Sequence, residues 1–251
     1  PMMIRRRKHQ PGHPPRPGQP RARRRRVLFG VLAVLVLMTM VREKKHLSSE
    51  DPQLKLPLLA LRDSFDARFK VFLIIIAVFT LGNSSDFFVI LRAQTLQAPL
   101  IQTVMMLFLF NVTYAVTSLP MGILSDRLGR RRVIIMGWSI YALVYLGFAL
   151  ASNTWQVWLL FAGYGIYYGV VGGASRAFVA DLVTRERRGT AYGLYHGVVG
   201  LTLLPASLIA GWLWDTVNPA APFYFGAALA FVAILGFLIL IKEQRVTLEP
   251  D

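Results

Sequence analysis

The sequence contains no cysteine, which removes disulfides, thiolate metal ligands and cysteine nucleophiles together. Its four histidines show no HExxH-like spacing, so a metal centre has no ligand set to start from. It has no Gly-rich phosphate loop and no nucleophile–base pair; a catalytic residue, a metal and a cofactor are all unexpected. Charge is scarce as well: 16 % of residues are charged against 55 % hydrophobic. A soluble domain of 251 residues has no use for that much apolar surface, and the positive mean hydropathy favours a chain dissolved in a bilayer.

What charge there is sits in a few places. Of the net +15, residues 1–26 supply ten Lys/Arg and no acid. That stretch, "PMMIRRRKHQPGHPPRPGQPRARRRR", has no period and little apolar content and reads as a disordered Pro/Arg-rich tail. It can meet anionic lipid through charge alone, or be a leader without function. Because the net basicity belongs mostly to the tail, nucleic acid is not expected as a partner. The apolar run that follows lacks a small-residue cleavage site, so it is not an ordinary signal peptide.

Seven apolar stretches can be counted: 27–41, 71–91, 100–124, 133–150, 155–180, 190–214 and 222–241. Six have about the 17–25 residues a tilted helix needs to cross the hydrocarbon layer. The first is too short and reads as a partial transmembrane helix, followed by a linker over 42–70. None alternates with the dyad of a membrane barrel. The expected architecture is therefore an all-α membrane protein with a six-helix bundle over 71–241 and a tail over 242–251.

Alternating spans put sixteen Lys/Arg of the loops and C-terminal tail on one side and Arg92 alone on the other. The positive-inside rule then places the basic loops and the C-terminus in the cytoplasm of a plasma or inner membrane. The tail breaks the rule: either 27–41 does not cross, or residues 1–26 are not the natural start.

One loop carries more than charge. Gly122-Ile-Leu-Ser-Asp126-Arg127-Leu-Gly129-Arg130-Arg131 resembles the cytoplasmic signature of the major facilitator superfamily, G-x-L-[SA]-D-R-x-G-[RK]-[RK], with every fixed position met. Gly129 suits a tight turn between antiparallel helices, and Gly122 suits close approach of a neighbouring helix. A second segment, "GGASRAFVADLVTRERRGTAYGLY", is similar to the loop between the fourth and fifth helices of a facilitator repeat. The resemblance implies a charge cluster of Asp126, Arg130 and Asp181, with Arg188 a weaker member, that holds one end-state of a transport cycle. A static surface ion pair worth ~0–1 kcal/mol is the alternative.

The resemblance covers the second half of that family: helices seven to twelve in a 3+3 inverted repeat, with the end of helix six before them. It implies a half or fragment of a secondary transporter that moves a small molecule by alternating access, coupled to protons, with efflux of a drug-like or amphipathic compound favoured over metabolite uptake. Transport would need the missing amino-terminal half or a second copy, and the tail would be a truncated or frame-shifted end of a longer gene. A non-transporting accessory protein or remnant is the competing reading.

Polar groups within the spans are the candidates for the pathway. "LGNSSDFF" interrupts an apolar run, and Asn83 and Asp86 are three apart, on one face of a continuous helix. A carboxylate there costs ~2.5–3.5 kcal/mol at mid-membrane, so Asp86 is either a coupling site, a ligand for a cation or a carboxylate reaching interfacial water. Arg176 is the second such charge, either an anion ligand and gate or a snorkelling side chain. Asn111, Tyr114 and Ser118 form one stripe, and Tyr164 and Tyr168 another, with interhelical hydrogen bonds the plainer role. His196 is a proton relay or, more simply, a packed neutral ring. The spans over 133–150 and 222–241 carry few hydrogen-bonding groups and read as lipid-facing. Gly165, Gly169 and Gly173, and again Gly189, Gly193 and Gly197, form two small-xxx-small series for tight packing, and Pro120 and Pro205 mark kinks.

Overall fold

Asp66 opens the first helix by accepting a hydrogen bond from the Ala67 N–H at 2.7 Å, so the chain enters the bundle on a capped turn. In the computed structural model the described residues are 65–241. The tail, the partial span, most of the 42–70 linker and the 242–251 segment lie outside them. The helices are α1 (Ala67–Gly82), α2 (Phe87–Thr95), α3 (Leu100–Leu128), α4 (Arg130–Leu150), α5 (Thr154–Asp181), α6 (Arg188–Thr216) and α7 (Ala221–Leu240), with a short 3-10 turn at Arg185–Arg187. Among the described residues there is no strand. Six segments, with α1 and α2 taken together, are long and apolar enough to cross a membrane. This is the six-helix half-bundle the apolar runs predict, with most helices extending a few residues beyond their runs.

Turns are built by the residues suited to them. Gly129 joins α3 to α4 at φ +89°, a backbone conformation open to glycine and strained for other residues. Before α5, Gln156 Oε1 accepts from the N–H groups of Ser152 and Asn153 at 2.8 and 3.2 Å, the reciprocal half of a capping box. Pro120 and Pro205 sit inside uninterrupted helices, α3 and α6.

The core lies where α1, α4, α5 and α7 meet. Phe79 stacks on Trp138 with centroids 4.7 Å apart, and Tyr141 stacks on Tyr145 at 4.1 Å. Trp138, Tyr141, Phe148, Phe161, Phe223 and Phe237 are almost wholly buried. This corrects the lipid-facing reading of 133–150: α4 turns Trp138, Tyr141 and Tyr145 inward, and α7 buries Phe223, Ala230 and Phe237. Each helix has one outer face, with Leu143 or Phe231 exposed, and one inner face, which the low count of strongly polar residues concealed because phenols pack like apolar rings.

Helices α3 and α6 are different. Only Thr103, Met106 and Ser125 of α3 are buried, and only Ala191, Leu194, Ala206 and Ala210 of α6. Most of the surface of these two spans is uncovered among the described residues.

Helix ends are closed by arginine. In a span, the last carbonyls of a helix have no intrahelical donor and no bulk water. Arg92 donates from Nε to Phe148 O at 2.9 Å and from Nη2 to Ala149 O and Ala151 O at 3.2 and 3.0 Å, closing α4. At the opposite end Arg130 donates to Ala177 O of α5 at 2.7 Å, and Arg131 to Leu238 O of α7 at 3.0 Å.

Candidate functional site

The expected continuous helix over 71–91 is broken. Helix α1 stops at Gly82, where Asn83 caps it by donating its N–H to Phe79 O and Thr80 O, and α2 begins only at Phe87. The break is held from outside. The Tyr141 hydroxyl donates to Gly82 O at 3.0 Å, and Tyr145 to Asn83 Oδ1 at 3.5 Å. A Cβ on Gly82 would lie 2.8 Å from Leu229 Cβ and 3.0 Å from Gly226 O, so α1 ends where only glycine fits against α7. Asn83 and Asp86 therefore do not share the helix face that their spacing predicts; both lie within the break, Asn83 after the end of α1 and Asp86 before the start of α2.

Asp86 occupies the N-cap position of α2 but makes no side-chain cap bond. Ser85 Oγ instead accepts from the Phe87 N–H at 3.4 Å. The Asp86 carboxylate turns to α5, accepting from the Tyr164 hydroxyl at 2.7 Å on Oδ1 and from the Tyr168 hydroxyl at 3.1 and 3.2 Å on its two oxygens. Three expected pathway residues on two elements are thus one constellation. Phe110 and Tyr114 of α3 close on it, with ring centroids 5.4 and 6.1 Å from Tyr168.

Two of the constellation's residues, Asp86 and Tyr168, belong to the wall of a cavity of about 640 Å³ that also includes Phe79, Asn83, Ser175 and Leu203. This volume is in the range of small-molecule sites. The wall is mostly apolar, with few polar groups.

At the basic end, Arg130 is the hub of the expected charge cluster. It lies 2.5 Å from Asp181 Oδ1 and 3.7 Å from Asp126 Oδ1. Arg188, the first residue of α6, makes no ion pair with a carboxylate among the described residues, so the weaker member stands apart. Arg127 is exposed beside the cluster. At Gly122 a Cβ would meet nothing within 4 Å among the described residues, so no described helix uses the close approach it allows.

The remaining candidates do not converge. Asn111 donates to Leu107 O and Ser118 to Ala115 O, both on their own helix. The interhelical bonds expected of that stripe are absent among the described residues, and Tyr114 contributes its ring alone. Arg176 donates from Nε to Gly172 O at 2.9 Å, one turn further from the basic end, and so does not snorkel toward it; its backbone carbonyl accepts from Tyr192. His196 is exposed rather than packed, its ring contact being the adjacent Tyr195.

The profile of the Major Facilitator Superfamily matches residues 71–250. The chain belongs to this superfamily. It is 42 % identical over 177 residues to an uncharacterized MFS-type transporter of Methanocaldococcus jannaschii, covering 68 % of this chain and 44 % of that protein. It is 34 % identical over 144 residues to the multidrug resistance protein MdtG of Dickeya zeae, covering 56 % and 34 %. With the class B tetracycline resistance protein of Escherichia coli it shares 28 % over 127 residues, covering 51 % and 31 %. The chain spans less than half the length of these curated relatives.

Two features of this facilitator half-bundle escaped the sequence reading. Tyr141 and Tyr145, which hold the α1–α2 break, lie in a span that looks featureless, and their four-residue spacing was the available signal. Arg92 counted only as a topological exception; its place at a span end, opposite the end of α4, was the clue to a capping role.

Proposed function

We propose that this chain is the carboxy-terminal half of a proton-coupled secondary transporter that exports a drug-like or amphipathic molecule by alternating access. The observation that carries the reading is the helix break that presents the Asp86 carboxylate, together with Tyr168, to the cavity, while the buried Tyr164 holds the carboxylate from α5. An ionised Asp86 accepts from both tyrosines and ties α2 to α5. A proton arriving on the carboxylate turns one acceptor oxygen into a donor, so the Tyr168 hydroxyl can no longer donate to both oxygens and the charge-assisted part of the tie is lost. Protonation and a helix contact are then one event, which is what coupling requires.

The Asp126–Arg130–Asp181 cluster is the gate in this reading. It joins α3, α4 and α5 at the end carrying the basic loops, which the charge bias assigns to the cytoplasm. The uncovered faces of α3 and α6 are where the other half of the transporter, or a second copy, lies. Export is favoured because two relatives are named for multidrug and tetracycline resistance.

Two measurements test this. An antibody against the 246–251 tail should detect, in source-cell membranes under denaturing conditions, a product near twice 28.2 kDa; a band at 28.2 kDa would move the missing half to a separate chain. In the assembled protein, Asp86→Asn should abolish proton-linked flux while insertion stays normal. Undiminished proton-linked flux in that variant would refute the coupling role, and no flux from any assembly would favour a non-transporting accessory protein.

A further inference from the structure

Behind the two tyrosines that hold Asp86 stand two more, and they reach the other side of the helix break. Tyr141 and Tyr145 of α4 stack at 4.1 Å, and the Tyr145 ring lies 6.0 Å from that of Tyr164. The Tyr145 hydroxyl interacts with those of Tyr141 and Tyr164 and with Ser84. Tyr141, Tyr145 and Tyr164 are 0, 1 and 2 % exposed. None of their O–H groups can turn to bulk water, so each must choose among a few fixed acceptors.

Two of the three choices are made. Tyr141 donates to Gly82 O at 3.0 Å, and Tyr164 to Asp86 Oδ1 at 2.7 Å. Tyr145 stands between them, with Asn83 Oδ1 3.5 Å away, at the long limit of a hydrogen bond. While Asp86 is ionised, the Tyr164 oxygen is the better acceptor, because donation to a carboxylate polarises the phenol. Tyr145 then donates to Tyr164, Tyr164 donates to Asp86, and the contact with Asn83 is slack. A proton on Asp86 removes the charge that polarises Tyr164. The Tyr145 O–H then gains more by turning to Asn83 Oδ1, on the residue that caps α1. Each phenol keeps its own proton; only the direction of one O–H changes.

The other titratable groups around Asp86 give no second route. Tyr168 of α5 meets Asp86 and Tyr164, with the Tyr114 ring of α3 beside it. Tyr167 packs its ring on Tyr141 and Tyr164. Tyr195 of α6 interacts with Ser175. Arg92 of α2 is committed to the carbonyls of α4, with Tyr224 of α7 near it.

We infer that Tyr145 is a positioning residue that carries the charge state of Asp86 across the helix break to Asn83, so that a proton taken up before α2 tightens the end of α1. This rests on the reading of Asp86 as the proton site. It adds the link by which the two sides of the break respond together.

The test is an infrared titration of the assembled protein purified in detergent. A protonated-carboxyl band that Asp86→Asn abolishes reports the charge state of Asp86 without any flux measurement. Tyr145→Phe keeps the stacked ring and withdraws one donor from the chain that stabilises the carboxylate. The band should then appear at a pH about 0.3–0.5 unit higher, a two- to threefold change in proton activity. In the unaltered protein the Asn83 amide carbonyl band, assigned by its loss in Asn83→Ala, should fall in frequency as the Asp86 band grows. In Tyr145→Phe it should stay fixed. The Asn83 band is read without altering Tyr145, and so decides the matter even if Tyr145→Phe fails to fold. An Asp86 midpoint indifferent to Tyr145→Phe, or an Asn83 band indifferent to the titration, would overturn the relay and leave the proton site standing. An equal midpoint shift in Tyr141→Phe would assign the effect to packing of the phenol stack, and would also overturn the relay. Absence of any carboxyl band that Asp86→Asn removes would take away the proton site and the relay together.

Discussion

Two glycine series with the same spacing have opposite surroundings. On α5, a Cβ at Gly165 would run into Thr113 Oγ1 and Phe110 O of α3, and one at Gly169 into Thr117 Oγ1. On α6, Gly189, Gly193 and Gly197 would each meet nothing within 4 Å among the described residues. Both series make a smooth helix face, and the α5 face has its partner inside this half, apart from Gly173, which is open. A small-xxx-small pattern thus predicts that close approach is permitted, not where the partner is. The threonines make the packed case work: Thr113 and Thr117 return their hydroxyls to their own helix at Leu109 O and Thr113 O, so they meet α5 without leaving a polar group unsatisfied.

The largest effect should come from breaking the packed series. Gly169→Leu forces a branched side chain into the α3 backbone and Thr117, and should cost about 3 kcal/mol or more. The readout is the melting temperature of the detergent-solubilised assembled protein. Gly193→Leu should leave melting nearly unchanged and act on flux instead, since its face borders the uncovered side. Equal losses of melting temperature would show that the α6 series packs as tightly against chain outside the described residues.

The two ends of the bundle give the next comparison. Arg130 serves Asp181, Asp126 and Ala177 O at one end, and Arg92 serves three carbonyls at the other. Each, changed to Ala, should destabilise by about 2 kcal/mol, since buried or half-buried acceptors lose a charged donor. They should separate in salt. The Arg130–Asp181 coupling in a double-mutant cycle should shrink as ionic strength rises, whereas Arg92→Ala should cost the same throughout. Salt independence of the Arg130 pair would mean it is shielded from solvent, against its half-exposed Asp181.

A third pair lies within one loop. Gly129 and Gly122 both belong to the signature, and neither would crowd a neighbour with a Cβ. Only Gly129 has a positive φ. Gly129→Ala should therefore cost about 2 kcal/mol from backbone strain alone. Gly122→Ala, inside α3, should be neutral or stabilising by up to about 1 kcal/mol. A loss at Gly122 in the melting curve would mean another helix comes against α3 there in the assembled protein.

How much of this was legible in the residues follows from the same contrasts. Apolar run length located all six spans, because in lipid the backbone must satisfy itself within each segment. The Asp126–Arg130–Asp181 cluster was legible through the loop signature, which ties spacing to a turn. The break between α1 and α2 was visible as polar residues within an apolar run, but not as a break, because Gly82 and Asn83 alone do not stop a helix; Tyr141 and Gly226 on other spans do. The Asp86–Tyr164–Tyr168 grouping joins residues nearly eighty positions apart, and no local pattern reports such a contact. His196 and Arg176 were legible as unusual residues and no more, since a single polar residue in a span carries no information about its rotation.

The smallest effect separates the two candidate members of the charge cluster. Arg188 begins α6 and makes no ion pair with a described carboxylate, while Arg130 bridges two. A positive charge in the first turn of a helix opposes the helix dipole by a few tenths of a kcal/mol, about 0.3–1 at most. Arg188→Gln should therefore leave melting unchanged or raise it slightly, within about 0.5 kcal/mol, where Arg130→Gln lowers it. The flux assay then divides the reading further. If Arg188→Gln also leaves transport intact, the gate reduces to Arg130 and its two aspartates; if it slows transport with stability unchanged, Arg188 acts in a state of the cycle other than this one, where Asp126 or Asp181 has let go of Arg130.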